Sequence, residues 1–181
     1  MARNPTGSTA DRSAHPLFEA LGAASDQAEI FAYSVKVVCG RQAEAGCCCV
    51  AGVRPGVYAT EVNIQNINLV TASIGKLALP LINSGAVIGR EPNLVDAATY
   101  IRQVDNIKLP PLGATMDDCC RISELLLGGA PSGEAPLTIA ILTIISLVEL
   151  SVSAVYTASP LSGDGVSIDV EYIPVRILRR G

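Results

Sequence analysis

The chain has 181 residues, 49% of them hydrophobic and only 17% charged, with a net charge of −4 and a mean hydropathy of +0.40. That length suffices for one domain with a buried core, or for one domain plus an arm. The composition excludes a disordered chain, which needs few apolar residues and much charge, and the acidic balance argues against non-specific nucleic-acid binding.

Residues 1–16, MARNPTGSTADRSAHP, are polar and contain no apolar stretch of the kind a secretory signal needs. Leu17, Leu21, Ala24, Ala28 and Phe31 then fall on one stripe at helical spacing. Ser13 or His15 is placed to cap such a helix, and Pro16 suits its first position. The expectation is an N-terminal arm over residues 1–31 carrying a short amphipathic helix. Either it packs on its own domain, or Leu17, Leu21 and Phe31 dock on a neighbouring subunit.

Past residue 31 the period changes from helical to alternating. Tyr33, Val35, Val37 and Cys39 share one side of a strand, with Ser34 and Lys36 on the other. Gly40–Gly46 reads as a loop, and Val53–Gly56 (VRPG) as a turn. From Val57 a long run follows, with a phase slip at Gln65–Asn66 that predicts a bulge or tight turn. Ile74–Ile82 is a strand candidate broken by Pro80, and Asn83-Ser84-Gly85 a turn. Residues 91–104 fit either a helix capped by Asn93 or an irregular loop. Pro110-Pro111 stop whatever precedes them.

Thr115–Leu127 gives the clearest helical signal. Thr115 and Asp118 resemble a capping box, Asp117-Asp118 suit the positive end of the helix dipole, and Gly128-Gly129 follow. Ile139–Ile145 is apolar at both alternations and predicts a strand buried on both faces. Leu150–Thr157 alternates more cleanly. Ser162-Gly163-Asp164-Gly165 is a hairpin turn, and Val166–Tyr172 predicts an edge or half-exposed strand. Arg176–Gly181 reads as a solvated basic tail. Strand follows strand throughout, so the expected class is mainly β: an antiparallel β-sandwich of jelly-roll-like layout with one or two short helices, one domain over 32–175.

Little in the sequence carries catalytic chemistry, and the expectation is a protein that is not an enzyme. The single histidine, His15, lies in the polar arm. Asp117 and Asp118 are adjacent and do not face each other on a helix. Glu149 reads as an exposed turn residue, with a buried functional acid as the sharper alternative. No phosphate-binding glycine loop is present in the sequence. Its longest strongly apolar run, Pro136–Val148, has 13 residues, short of a membrane span. That reading implies the cytoplasm, with a processed mature form or non-classical export left open.

The six cysteines are Cys39, Cys47, Cys48, Cys49, Cys119 and Cys120. Their spacing does not match paired zinc-ligand motifs. They read first as small buried hydrophobes, next as a disulfide framework. Cys39, Cys47, Cys49, Cys119 and Cys120 are the weak candidates for holding zinc or another thiophilic metal. No cofactor is demanded by the pattern.

The segments YSVKVVCG (33–40), RPGVYATEVNIQN (54–66), ATMDDCCRISELLLGG (114–129) and ELSVSAVYTAS (149–159) resemble a group of uncharacterised bacterial β-rich proteins of similar size. The layout is also similar to that of the small sandwich proteins of the sensory-rhodopsin-transducer type. Both likenesses imply a β fold and assign no functional residue.

Charge supplies the functional expectation. Between Val62 and Gly89 the one charged residue is Lys76, and between Ala135 and Gly163 it is Glu149. Strand faces so poor in charge are a liability on a monomer and suit burial by other subunits. The first reading is thus a structural or scaffold protein, a self-assembling homo-oligomer subunit of a filament or shell, with the arm contacting neighbours. The alternatives are a cysteine-dependent metal or redox protein and a β-sandwich module binding a ligand or signalling partner.

Overall fold

The computed structural model describes residues 29–43, 53–83, 86–87, 104–127, 135–162 and 165–178. It is mainly β, with ten antiparallel strands and one short helix among those residues. The strands are β1 (Ile30–Gln42), β2 (Gly56–Gln65), β3 (Ala72–Asn83), β4 (Ala86–Val87), β5 (Val104–Leu109), β6 (Ala114–Asp117), β7 (Thr138–Ser146), β8 (Ser151–Ser159), β9 (Ser167–Tyr172) and β10 (Arg176–Leu178). The helix, α1, spans Cys119–Leu127.

The hydrogen-bonded order runs β4-β3-β7-β1-β2-β8-β9, with β5 on β3, β6 on β2 and β10 on β1. β1 divides this path into two halves. Its residues 31–39 pair with β7, and its residues 40–42 pair with β2. Gly40 marks the crossing. It has φ +98°, and a Cβ there would meet the carbonyl oxygens of Ala135 and Pro136 at 2.6 Å, so only glycine fits. Thr60 stitches the same point from β2: its hydroxyl donates to Val38 O (3.0 Å) and accepts from Val38 N–H (2.9 Å).

One cluster of buried side chains draws on both halves. β1 gives Tyr33, Val35 and Val37, β7 gives Ala140, Leu142 and Ile144, and β2 and β8 give Val62, Ile64, Val152 and Ala154. α1 adds Ile122, Leu125 and Leu126, one stripe at i, i+3 and i+4. Two buried polar residues pin the connections. The Tyr33 hydroxyl donates to Leu150 O (2.8 Å) and accepts from Leu150 N–H (2.7 Å), fixing the β7–β8 turn. Asn66 follows β2, and its Nδ2 lies within hydrogen-bonding distance of Val70 O, Leu109 O and Pro110 O.

Several expectations need amendment. β6 occupies residues read as the first turn of the helix, so α1 starts at Cys119, and its cap is Asp118, whose Oδ1 accepts from Arg121 N–H (2.9 Å). β3 continues through Pro80, with a register shift between Pro80 and Ile82. Phe31, the end of the helical stripe, belongs to β1 and pairs with Ser146 and Ile177. Arg176–Leu178, read as tail, form β10 against Ile30–Ala32. Glu149 is exposed, as a turn residue should be. Leu17, Leu21, His15 and the 91–103 segment lie outside the described residues. No helix among the described residues is long and apolar enough to cross a membrane.

Candidate functional site

Three features stand out from the packing: a disulfide, a buried ion pair and an exposed apolar edge.

Cys39 ends the core-facing row of β1, and Cys119 opens α1. Across a sequence separation of 80 residues they form a disulfide. Thr60 N–H points at the Cys119 sulfur, 3.2 Å away. The reading of these two cysteines as independent buried thiols is thereby corrected. Their spacing gave no sign of partnership, because the pairing depends on β6 bringing Cys119 under β1. Paired sulfurs have no thiolate to offer a metal, so Cys39 and Cys119 leave the candidate metal set while oxidised. Cys120 is a free, exposed thiol, and Cys47, Cys48 and Cys49 lie outside the described residues. Among the described residues no three His, Cys, Asp or Glu side chains are grouped to hold a metal ion.

Lys76 sits on β3 in the row that faces the shared core, opposite Ile144 of β7. Asp117 sits on β6 in register with the buried Val62. Lys76 Nζ lies 2.8 Å from Asp117 Oδ1, and each side chain is 2% exposed. The second oxygen of Asp117, Oδ2, is buried without a hydrogen-bond partner among the described residues. Asp105, the β5 neighbour of Lys76 in register, places its Oδ2 4.0 Å from Nζ. Arg121 holds Asp105 from the other side at 2.7 Å and reaches Glu124 at 2.9 Å. Its guanidinium is pushed above its ordinary value by the hydrogen bonds to Glu124 and then Asp105. The sequence marked Lys76 as a lone charge in an apolar run. It did not mark Asp117 as its partner, having assigned that residue to the helix terminus.

The third feature is β9. It pairs with β8 only, and no described strand covers its other edge. All six residues are exposed. Ile168, Val170 and Tyr172 form one row, 65%, 56% and 80% exposed, beside Val155 of β8. Asp169 and Glu171 form the opposite row, where Glu171 accepts a hydrogen bond from the Tyr156 hydroxyl (3.1 Å). Tyr172 also flanks a shallow groove of about 260 Å³ with Ile67 and Val175.

The low-charge strands β3 and β7, expected at an interface, direct many of their apolar side chains into this chain's own core. Leu142 and Ile144 are fully buried. Exposed apolar side chains include the β9 row and Ile67, Leu69 and Val70 of the loop after β2, with others such as Val57, Met116 and Ile177 on β2, β6 and β10.

Neither a protein-family model nor a curated protein matches the chain. Among solved structures it is similar to the one described as the crystal structure of Thermotoga maritima 1070. The identity is 10% and the TM-score 0.41, over 83% of this chain and 96% of that one.

Proposed function

We propose that the chain is a structural subunit that assembles with copies of itself through the β9 edge, not an enzyme. The observation that carries this reading is the row Ile168, Val170 and Tyr172 on a strand whose second edge no described strand covers. An open antiparallel edge templates the addition of another strand. A second copy supplies a complementary one, because two identical edges meet antiparallel about a two-fold axis. The apolar row then continues from one subunit to the next on the same face of the extended sheet. Repetition through a second surface, such as the arm at Leu17 and Leu21, would extend a dimer into a filament or shell.

The disulfide supports residence where thiols stay oxidised, since such bonds are rare in a reducing cytosol. The cytoplasmic expectation gives way to that setting in this proposal. The metal-binding alternative loses support, because two of its five cysteines are joined to each other.

Native mass by light scattering behind a sizing column tests the assembly. The wild-type chain is expected to run as a multiple of its 18.8 kDa subunit. Val170→Glu, which puts a charge into the row, is expected to run as the monomer with an unchanged circular dichroism spectrum. A wild-type chain that elutes as a monomer at every concentration overturns the proposal.

A further inference from the structure

We infer that Lys76 and Asp117 are joined by an amide bond between their side chains, a covalent staple from β3 to β6. A lysine ammonium and a carboxylate held in contact away from water are costly to bury unless closely paired and hydrogen-bonded. This pair is incompletely satisfied. Asp117 Oδ2 is buried with no partner among the described residues, while Oδ1 alone meets Nζ at 2.8 Å. Condensation removes both charges and the orphaned oxygen in one step. The positions are fixed from both sides, Lys76 by its pairing to β7 and β5 and Asp117 by its pairing to β2. Two reactants held this way gain the large effective concentration of an intramolecular reaction.

The balance closes without a further reagent. Nζ gives up a proton, and its lone pair attacks the Asp117 carboxyl carbon, forming the C–N bond. The bond from that carbon to Oδ2 breaks, and the oxygen leaves as water. Of the three ammonium hydrogens, one remains on the amide nitrogen and two depart with the water. The positive and negative charges cancel, and nothing is oxidised or reduced. Asp105, with Oδ2 4.0 Å from Nζ and anchored by Arg121, is the proton carrier between amine and leaving oxygen.

The staple would join the first half of the sheet, through β3, to the second, through β6. It ends two residues before Cys119, so amide and disulfide would tie the same end of α1 to β3 and to β1. A doubly tied core suits a subunit that bears load in an assembly, but the inference does not depend on assembly.

The test weighs the full chain, reduced and denatured, by intact mass spectrometry. The expected mass is that of the sequence less one water, and proteolysis is expected to yield a branched peptide joining Lys76 to Asp117. Asp105→Asn, checked as folded by circular dichroism, is expected to return the full mass. A wild-type mass with no water missing leaves an ordinary ion pair and overturns the inference. So does a missing water without the branched peptide, which would belong to a cyclic imide at an aspartate. The wild-type measurement is independent of whether any variant folds. Because the chain is denatured, it is also independent of oligomeric state.

Discussion

β7 and β9 are both antiparallel strands with an apolar row, yet they end in opposite surroundings. β7 lies between β3 and β1 and is buried on both faces. Leu142 and Ile144 meet the shared core, while Ile139 and Ile145 pack in two smaller clusters on the other side. Among the described strands β9 has β8 alone for a neighbour, and it is exposed along its whole length. Apolar composition therefore does not decide burial here; the number of flanking strands does. Among the described residues, the apolar strand left half-paired is the exposed one, and it is not the strand with the fewest charges.

Cutting what holds the shared strand β1 is expected to cost the most. Replacing Cys39 and Cys119 together by alanine opens a loop of 80 residues. Chain entropy places the loss at about 4 kcal/mol. Urea unfolding of the variant against the oxidised parent measures it, and a loss below ~1 kcal/mol would show that the bond adds nothing to this core.

The contrast between β7 and β9 is next. Leu142→Ala removes a fully buried side chain and is expected to cost about 3 kcal/mol. Ile168→Ala removes an exposed one and should stay within about 0.5 kcal/mol when the subunit is dilute. At assembling concentrations Ile168→Ala is expected to become destabilising while Leu142→Ala keeps its cost. Equal effects for the two at all concentrations would mean that β9 is no more open to a partner than β7.

What the sequence shows follows the range of the interaction. β7 was legible because a run apolar at both alternations fits only a strand covered twice. β9 was legible from its alternation after a Ser-Gly-Asp-Gly turn. Phe31 was assigned to the helical stripe from Leu17, although it also keeps the strand phase of Tyr33 and Val35; pairing with β7 and β10 puts it in β1. The β6–α1 boundary was misplaced because two adjacent aspartates look alike locally. Asp118 does cap the helix, but Asp117 answers to Lys76, 41 residues away. The Cys39–Cys119 bond is equally non-local. No periodicity or spacing rule reaches across such separations, so the sequence pointed to the lone lysine without its partner and to the cysteines without their pairing.

The seam between β8 and β9 carries a weaker, pH-dependent contribution. Tyr156 bonds to Glu171 across that seam. Its hydroxyl is pushed up from 10.0 to about 12, first by burial, then by the hydrogen bond to Glu171 and the charges of Glu171 and Asp169. The folded chain thus keeps a proton that the unfolded chain releases. Its contribution to stability is complete below about pH 10 and is lost as the pH rises from about 10 toward about 12. Tyr33, raised chiefly by burial, acts in the same direction from the core. Tyr156→Phe is therefore expected to reduce the alkaline decline without abolishing it, read as the unfolding midpoint at about pH 9 and about pH 11. The difference should be modest in dilute monomer, where the seam is open to water and screening is strong. A decline that Tyr156→Phe leaves untouched would mean that the folded chain does not hold the Tyr156 proton beyond the unfolded one, and that the bond to Glu171 adds nothing at this seam.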